Sequence, residues 1–324
     1  MAASAHSGQG RVLTGRPGSH RGAFFILIVC NALWAGTYAA GKIALRDLSP
    51  VELNAIRFLL ASLILLPVTV RGWRQIPRDR ATLLALGRLV LLGWVLNKTF
   101  EYLGLSLSTA SDVALLISTE SLFTAVLSWT FLRERITRTG IAALLIGLTG
   151  AYLIVERGFM PSLGGAAGHT RVLGDLLVVL SLMMEAGYTV TGKATISRIP
   201  PLLLVSVTLL GSLFVWVPAG TVAIIHSGWP HLTWPSVLAV LYMAAIATAL
   251  CYWLWFRGLA SVDASAAAPV LFIQPLLGAL LAIWLLHDTL SWATVLGGLL
   301  IAMSLLLVMR SERRREVLVP EPVA

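Results

Sequence analysis

"WAGTYAAGK" at residues 34–42 and "EAGYTVTGK" at 185–193 share an Ala-Gly step and a closing Gly-Lys, 151 residues apart. At the same offset Pro50 falls on Pro201 and Pro67 on Pro218. Further along, "YLGLSLSTAS" (102–111) overlies "FRGLASVDAS" (256–265) at an offset of 154, and Glu134 then falls on Asp288. The separation lies well beyond the short periods of solenoid repeats. Half of the chain is a copy of the other half.

Hydropathy says what kind of half it is. The 324 residues are 57% hydrophobic and 12% charged, with a mean hydropathy of +0.85. Soluble domains carry about a quarter charged residues. Apolar windows reach the ~18–20 residues that cross a bilayer again and again. Ten spans are read: 23–45, 50–70, 81–105, 110–132, 139–155, 173–194, 201–226, 235–256, 264–286 and 292–309. Connections between them are short, which makes neighbours antiparallel. The exception is the Gly-rich "ERGFMPSLGGAAGHTR" (156–171), which divides the spans five and five. Five is odd, so the second copy enters the membrane upside down. The expected fold is an all-α polytopic membrane protein, ten transmembrane helices in two inverted five-helix repeats. Its parts are a cytoplasmic disordered tail (1–22), a first repeat (23–155), a linker (156–172), a second repeat (173–309) and a basic cytoplasmic tail (310–324).

The net charge of +9 is not a nucleic-acid footprint, because it is sorted between loops. Arg11, Arg16, Arg21, the Arg71–Arg80 loop, Arg133, Arg135, Arg138, Lys193, Arg198, Arg257 and Arg310–Arg315 fall on one side. Lys42, Arg46, Arg157 and Arg171 fall on the other. Positive-inside logic places both termini in the cytoplasm of a cell whose inner, or plasma, membrane holds the chain. Cys30 and Cys251 both sit in apolar runs, which implies neither a disulfide framework nor a thiolate metal site.

At this point the residues resemble the EamA-type branch of the drug/metabolite transporter superfamily. The stretches that carry the resemblance are "LWAGTYAAGKIAL", "IRFLLASLILLP", "SLSTASDVALLISTESLFTAVLSWTFLRERIT" and "LGGLLIAMSLLLV", between about residues 24 and 309. One departure is Ser121, where many relatives have proline; the second repeat keeps it as Pro275. The resemblance implies passage of small metabolites, often export, without ATP. Cargoes across the family include amino acids, amines, sugars and drugs.

Depth counted at ~1.5 Å per residue puts Glu120 near the middle of the fourth span. Gln274, its counterpart at the 154 offset, lies mid-ninth; Asn31 and Trp34 lie mid-first, and Glu185, the counterpart of Trp34, mid-sixth. Transporters of this build bind at the midplane between repeats, and an acid there faces a partner or a wet cavity. Interhelical glue is the other reading of each such group. Lys98 and Glu101 share one face of the third span, paired with each other or with Lys98 reaching Glu120. Mid-span aromatics (Tyr38, Tyr102, Tyr188, Tyr252, Trp253 and Trp255) are candidate walls for an organic cation or aromatic cargo. Glu52 and Arg57 read as a structural pair near the outer edge, and His287 with Asp288 as helix-end caps.

The chain contains no HExxH, Walker or GxSxG motif and no His/Cys cluster with metal spacing, so neither cofactor nor metal is expected. The expected partners are a small-molecule substrate, the lipid bilayer and, in one reading, protons coupled through Glu120; uniport is the other. The function expected is export of amino acids, amines or related metabolites by alternating access. The alternatives are an uptake carrier, a flippase for lipid-linked sugars, or a membrane-embedded enzyme or scaffold.

Overall fold

The computed structural model describes residues 20–108, 113, 116–117, 119–134, 136–156, 169–277 and 292–318. Every regular element among them is helical. Six helices are long and apolar enough to span a membrane: α1 (Arg21–Ala44), α2 (Pro50–Gln75), α3 (Arg80–Leu107), α6 (His169–Thr195), α7 (Pro201–Ser227) and α8 (Trp234–Leu259). Shorter apolar stretches fall where the other spans were expected: α4 (Glu120–Leu132), Arg138–Gly150 within α5 (Arg138–Glu156), α9 (Ala264–Leu277) and Val295–Val308 within α10 (Trp292–Leu318). Large apolar side chains such as Leu63, Val70, Phe131, Phe214 and Leu299 face outward along them. Water would not tolerate such a surface, and lipid requires it. The chain is a multi-pass membrane protein.

Local sequence explains where helices start. Ser49 accepts from Glu52 N, Glu52 accepts from Ser49 N, and Pro50 occupies the first turn of α2: a complete capping box. Glu52 also accepts from Ser227 of α7 at 2.8 Å. The expected Glu52–Arg57 pair is therefore corrected. The two side chains lie five residues apart, on different faces of α2, and Arg57 turns inward. At the C-terminus α10 continues to Leu318, past the apolar span read as 292–309. The run "RSERRREVL" is made largely of good helix formers, so nothing stops the helix as it leaves the apolar layer.

Duplicated residues make equivalent contacts. Lys42 Nζ donates to the carbonyls of Leu105 (2.7 Å) and Ser108 (3.2 Å), closing the C-terminus of α3. Lys193 Nζ does the same for α8 at Leu259 (2.6 Å) and Val262. An ammonium suits these orphan carbonyls at the negative end of a helix. The glycine beside each lysine makes room for a ring. A Cβ on Gly41 would lie 3.2 Å from Tyr102, and one on Gly192 only 2.1 Å from Phe256. The repeated Gly-Lys is thus a docking device between the first and third helices of each half.

Packing across the halves follows the same exchange. Helix α2 packs along α7, α5 along α10, and α4 against α9; α3 lies on α6 as α8 lies on α1. At the last two contacts Gly104 meets Val178, and Gly258 meets Leu27. The loops repeat it too. Arg198 donates to Asp79, the N-cap of α3, at 3.3 Å, and Thr233, the N-cap of α8, donates to Asp47 at 2.6 and 2.7 Å. The Thr233 donors hold the Asp47 carboxyl below the usual carboxylate range.

The helices are irregular at mid-depth. Helix α1 is interrupted between Trp34 and Thr37, where the Tyr242 hydroxyl donates to the Leu33 carbonyl. Helices α3 and α8 widen to π-helical turns at Val90–Leu96 and Met243–Leu250, which are equivalent positions of the two copies. Inserted turns of this kind are frequent at functional sites.

Candidate functional site

These irregularities surround one polar cavity. The break in α1 presents Trp34 and Thr37 to it, and α3 contributes Asn97, Lys98 and Glu101 directly after its π-helical turn. Glu120 enters at the first turn of α4, Leu182 and Glu185 come from α6, and Tyr252 follows the π-helical turn of α8. Arg57 of α2 and Gln274 of α9 complete the lining. Both copies of the repeat supply charged or polar groups.

The central feature is a buried three-membered ion cluster. Lys98 Nζ sits 2.6 Å from Glu101 Oε2 and 3.3 Å from Glu185 Oε2, and all three side chains are nearly inaccessible. The Tyr252 hydroxyl also donates to Glu185 at 3.3 Å. Desolvating three charges costs several kcal/mol per ion, offset only where geometry and extra hydrogen bonds are good. Lys98 is thereby committed to these acids; no ion pair links it to Glu120 among the described residues. The Glu120 carboxylate has neither a hydrogen bond nor an ion pair among those residues, although the side chain is 7% exposed.

Aromatic and amide groups pack around the cluster. Trp34 and Tyr252 meet edge to face at 5.1 Å, and the Trp34 indole donates to the Ala247 carbonyl within the second π-helical turn. Gln274 donates to Asn31 at 2.9 Å, so Asn31 stands behind the lining and orients Gln274.

Of the residues singled out from sequence, Trp34, Lys98, Glu101, Glu120, Glu185, Tyr252 and Gln274 meet at the cavity. Tyr102 and Tyr188 are fully buried one layer behind, Tyr102 against Arg57 and Tyr188 edge to face with Tyr252 at 5.7 Å. Trp253 points elsewhere: it is half-buried, with the Arg257 guanidinium 5.3 Å from its ring. In a helix its neighbours Tyr252 and Trp255 turn inward, and a residue one step from Tyr252 must face another way. The side chain of Tyr38 lies outside the described residues, as do His287 and Asp288. Sequence reading missed Thr37, Asn97, Leu182 and Arg57. Asn97 and Thr37 adjoin residues that were chosen, and Leu182 is the counterpart of Asn31 at the 151 offset. That register was the available signal.

A family description fits this chain over most of its length. Residues 20–156 and 172–310 each match the EamA-like transporter family. The chain belongs to the EamA-like transporter family. An uncharacterized transporter of Archaeoglobus fulgidus is 26% identical over 85% of this chain and 93% of its own length. A probable amino-acid metabolite efflux pump of Salmonella typhimurium is 24% identical over 86% of this chain and 91% of its own. A WAT1-related protein of Arabidopsis thaliana is 27% identical over 78% and 72%. A protein crystal structure aligns with 92% of this chain at a TM-score of 0.72 and 20% identity, which shows a shared fold. The EamA-like family consists of proteins named as transporters rather than enzymes, and this chain is a transporter of small molecules within a membrane.

Proposed function

We propose that this EamA-like protein exports small organic metabolites, amino acids and related amines foremost, by alternating access through the cavity between its halves. The observation that carries the proposal is the cavity itself: buried, charged, and lined from both copies of the repeat at the depth where their helices break. Two inverted five-helix repeats are supported by the exchanged contacts, since α3–α6 and α8–α1 swap under the same register that swaps Lys42 with Lys193. Two such halves rocking about a fixed site expose it to each side in turn. Both termini are cytoplasmic in this reading, in the inner membrane of the cell.

Glu120 carries the coupling proton. A buried carboxylate with no hydrogen bond or ion pair among the described residues is stable when it holds either a proton or a cationic group, and holding each in turn exchanges protons for cargo. Export of amino acids is supported by the printed name of the Salmonella relative. The test is a screen of metabolites in vesicles bearing the purified chain, with an imposed pH gradient. The expected result is cargo movement driven by protons in the wild type. In Glu120→Gln the proton gradient should no longer drive cargo, and any exchange that remains should be weaker than in the wild type and independent of the gradient. Full proton-driven transport by Glu120→Gln would remove Glu120 from the mechanism.

A further inference from the structure

Arg57 was read from sequence as half of an outer ion pair, and the structure instead buries it to 2% exposure beside the cavity. Its hydrogen-bond and ring partners are all neutral, and the Glu101 carboxylate acts on it only through space. Nε donates to the Thr248 hydroxyl at 2.9 Å and Nη1 to the Tyr102 hydroxyl at 2.7 Å, with the Phe58 and Tyr102 rings 5.0 and 5.3 Å from the guanidinium carbon. Nη2 has no hydrogen bond, and no carboxylate pairs with Arg57 among the described residues. A cation buried this deeply normally carries a counter-ion.

The duplication supplies a control for a purely structural role. At the 151 and 154 offsets the counterparts of Arg57 and Thr248 are Thr208 and Trp94, and they too bond to each other, Trp94 Nε1 to Thr208 Oγ1 at 3.0 Å. In that mirror position an indole and a hydroxyl fill the space with no charge. The architecture therefore does not require a cation at this junction, and only one copy has one.

Lys98 is shared between Glu101 and Glu185, a cluster of net charge −1 whose Glu101 also acts on Arg57 through space, and two charged groups of the lining make no ion pair among the described residues: Arg57 and Glu120. We infer that Arg57 and Glu120 are the two poles of a zwitterion site, Arg57 taking the cargo's carboxylate on its free Nη2 edge and Glu120 its ammonium. The cargo's side chain then lies toward Trp34, Leu182 and Tyr252. This deepens the proposed function and rests on it for the location of the site. It also assigns Arg57 as a specificity-determining residue: it separates α-amino acids from amines, which Glu120 alone cannot do.

The test uses the full chain in lipid nanodiscs and calorimetric binding of matched probes. Each set holds an amino acid, the amine lacking its carboxylate and the acid lacking its amine: L-leucine, 3-methylbutylamine and 4-methylpentanoate; L-phenylalanine, 2-phenylethylamine and 3-phenylpropanoate. In at least one set the amino acid should bind ten-fold or more tighter than both analogues. Arg57→Gln should lower amino-acid affinity to that of the amine and leave the amine within two-fold of wild type. Glu120→Gln should do the converse, with the acid unchanged. Should Arg57→Gln fail to fold, Arg57→Thr with Thr248→Trp copies the mirror pair and serves in its place. Absence of a zwitterion advantage in every set overturns the inference, as does an equal loss of amine and amino-acid binding in the Arg57 variant. Vesicle transport of some other cargo without zwitterion binding sinks this inference alone; zwitterion binding without transport sinks the exporter reading alone.

Discussion

Removing the cation from the ion cluster should be among the costliest single changes available to this fold. Lys98→Met keeps most of the side-chain volume and leaves Glu101 and Glu185 without the ammonium that sat 2.6 and 3.3 Å away. Breaking a buried pair by deleting one partner costs about 3–5 kcal/mol. A second route sets a ceiling, because an orphaned carboxylate can take up a proton. For a Glu of ordinary pKa ~4.3, that costs roughly 3.7 kcal/mol per carboxylate at pH 7 and roughly 1 kcal/mol at pH 5, so the two together set ceilings of roughly 7 and roughly 2 kcal/mol. Lys98→Met should therefore lose about 3–5 kcal/mol at pH 7, with much of the loss recovered at pH 5. Adding Glu101→Gln and Glu185→Gln should recover it at both pH values, since the cluster then holds no carboxylate without its cation. The assay is reversible unfolding in mixed micelles followed by tryptophan fluorescence, after confirming membrane insertion. A loss below about 1 kcal/mol at pH 7, or one independent of pH, would refute the cluster as drawn.

Further outcomes follow from the same structure. Lys42→Met and Lys193→Met should each lower thermal stability in detergent, because each strands helix-end carbonyls; wild-type midpoints for both would make the repeated Gly-Lys ornamental. Gly192→Ala drives a methyl into Phe256 and should cost about 1–3 kcal/mol on unfolding, and a neutral result would show that the ring moves freely. The Asp47 carboxyl is held below its ordinary range, so its bond to Thr233 is kept above the unfolded value of ~3.9 and lost only as pH falls further. Asp47→Asn should accordingly lower the midpoint by the same amount at pH 7 and pH 5, and a difference between them would contradict that assignment. Single cysteines at Gly164 and Arg78, in a background lacking Cys30 and Cys251, should label from opposite faces with an impermeant thiol reagent; labelling from one face would end the inverted arrangement.

By itself the sequence determined that the chain is helical, lives in a bilayer and is built from two related halves. Those properties are written locally or by register. An apolar run of twenty residues has one stable solution in lipid, and a fixed offset between Gly-Lys pairs needs no coordinates to be seen. Register also carried Glu120, Gln274, Trp34 and Glu185 to the cavity, because symmetry-related positions at one depth must converge where the halves meet. Tertiary structure alone decided how the charges are shared. Lys98 had a near partner at Glu101 and a distant one to choose, and helical spacing is silent about α6, which supplied Glu185. It also decided where the helices widen. The π-helical turns of α3 and α8 contain no proline, and each rotates the residues after it by an amount that no hydrophobic period records. Arg57 is the sharpest case. Five residues from Glu52 it reads as a surface partner, yet its surroundings come from Thr248, Tyr102 and Phe58, two of them far along the chain. A charge is placed by what surrounds it in space, and those surroundings exist only once distant helices have packed.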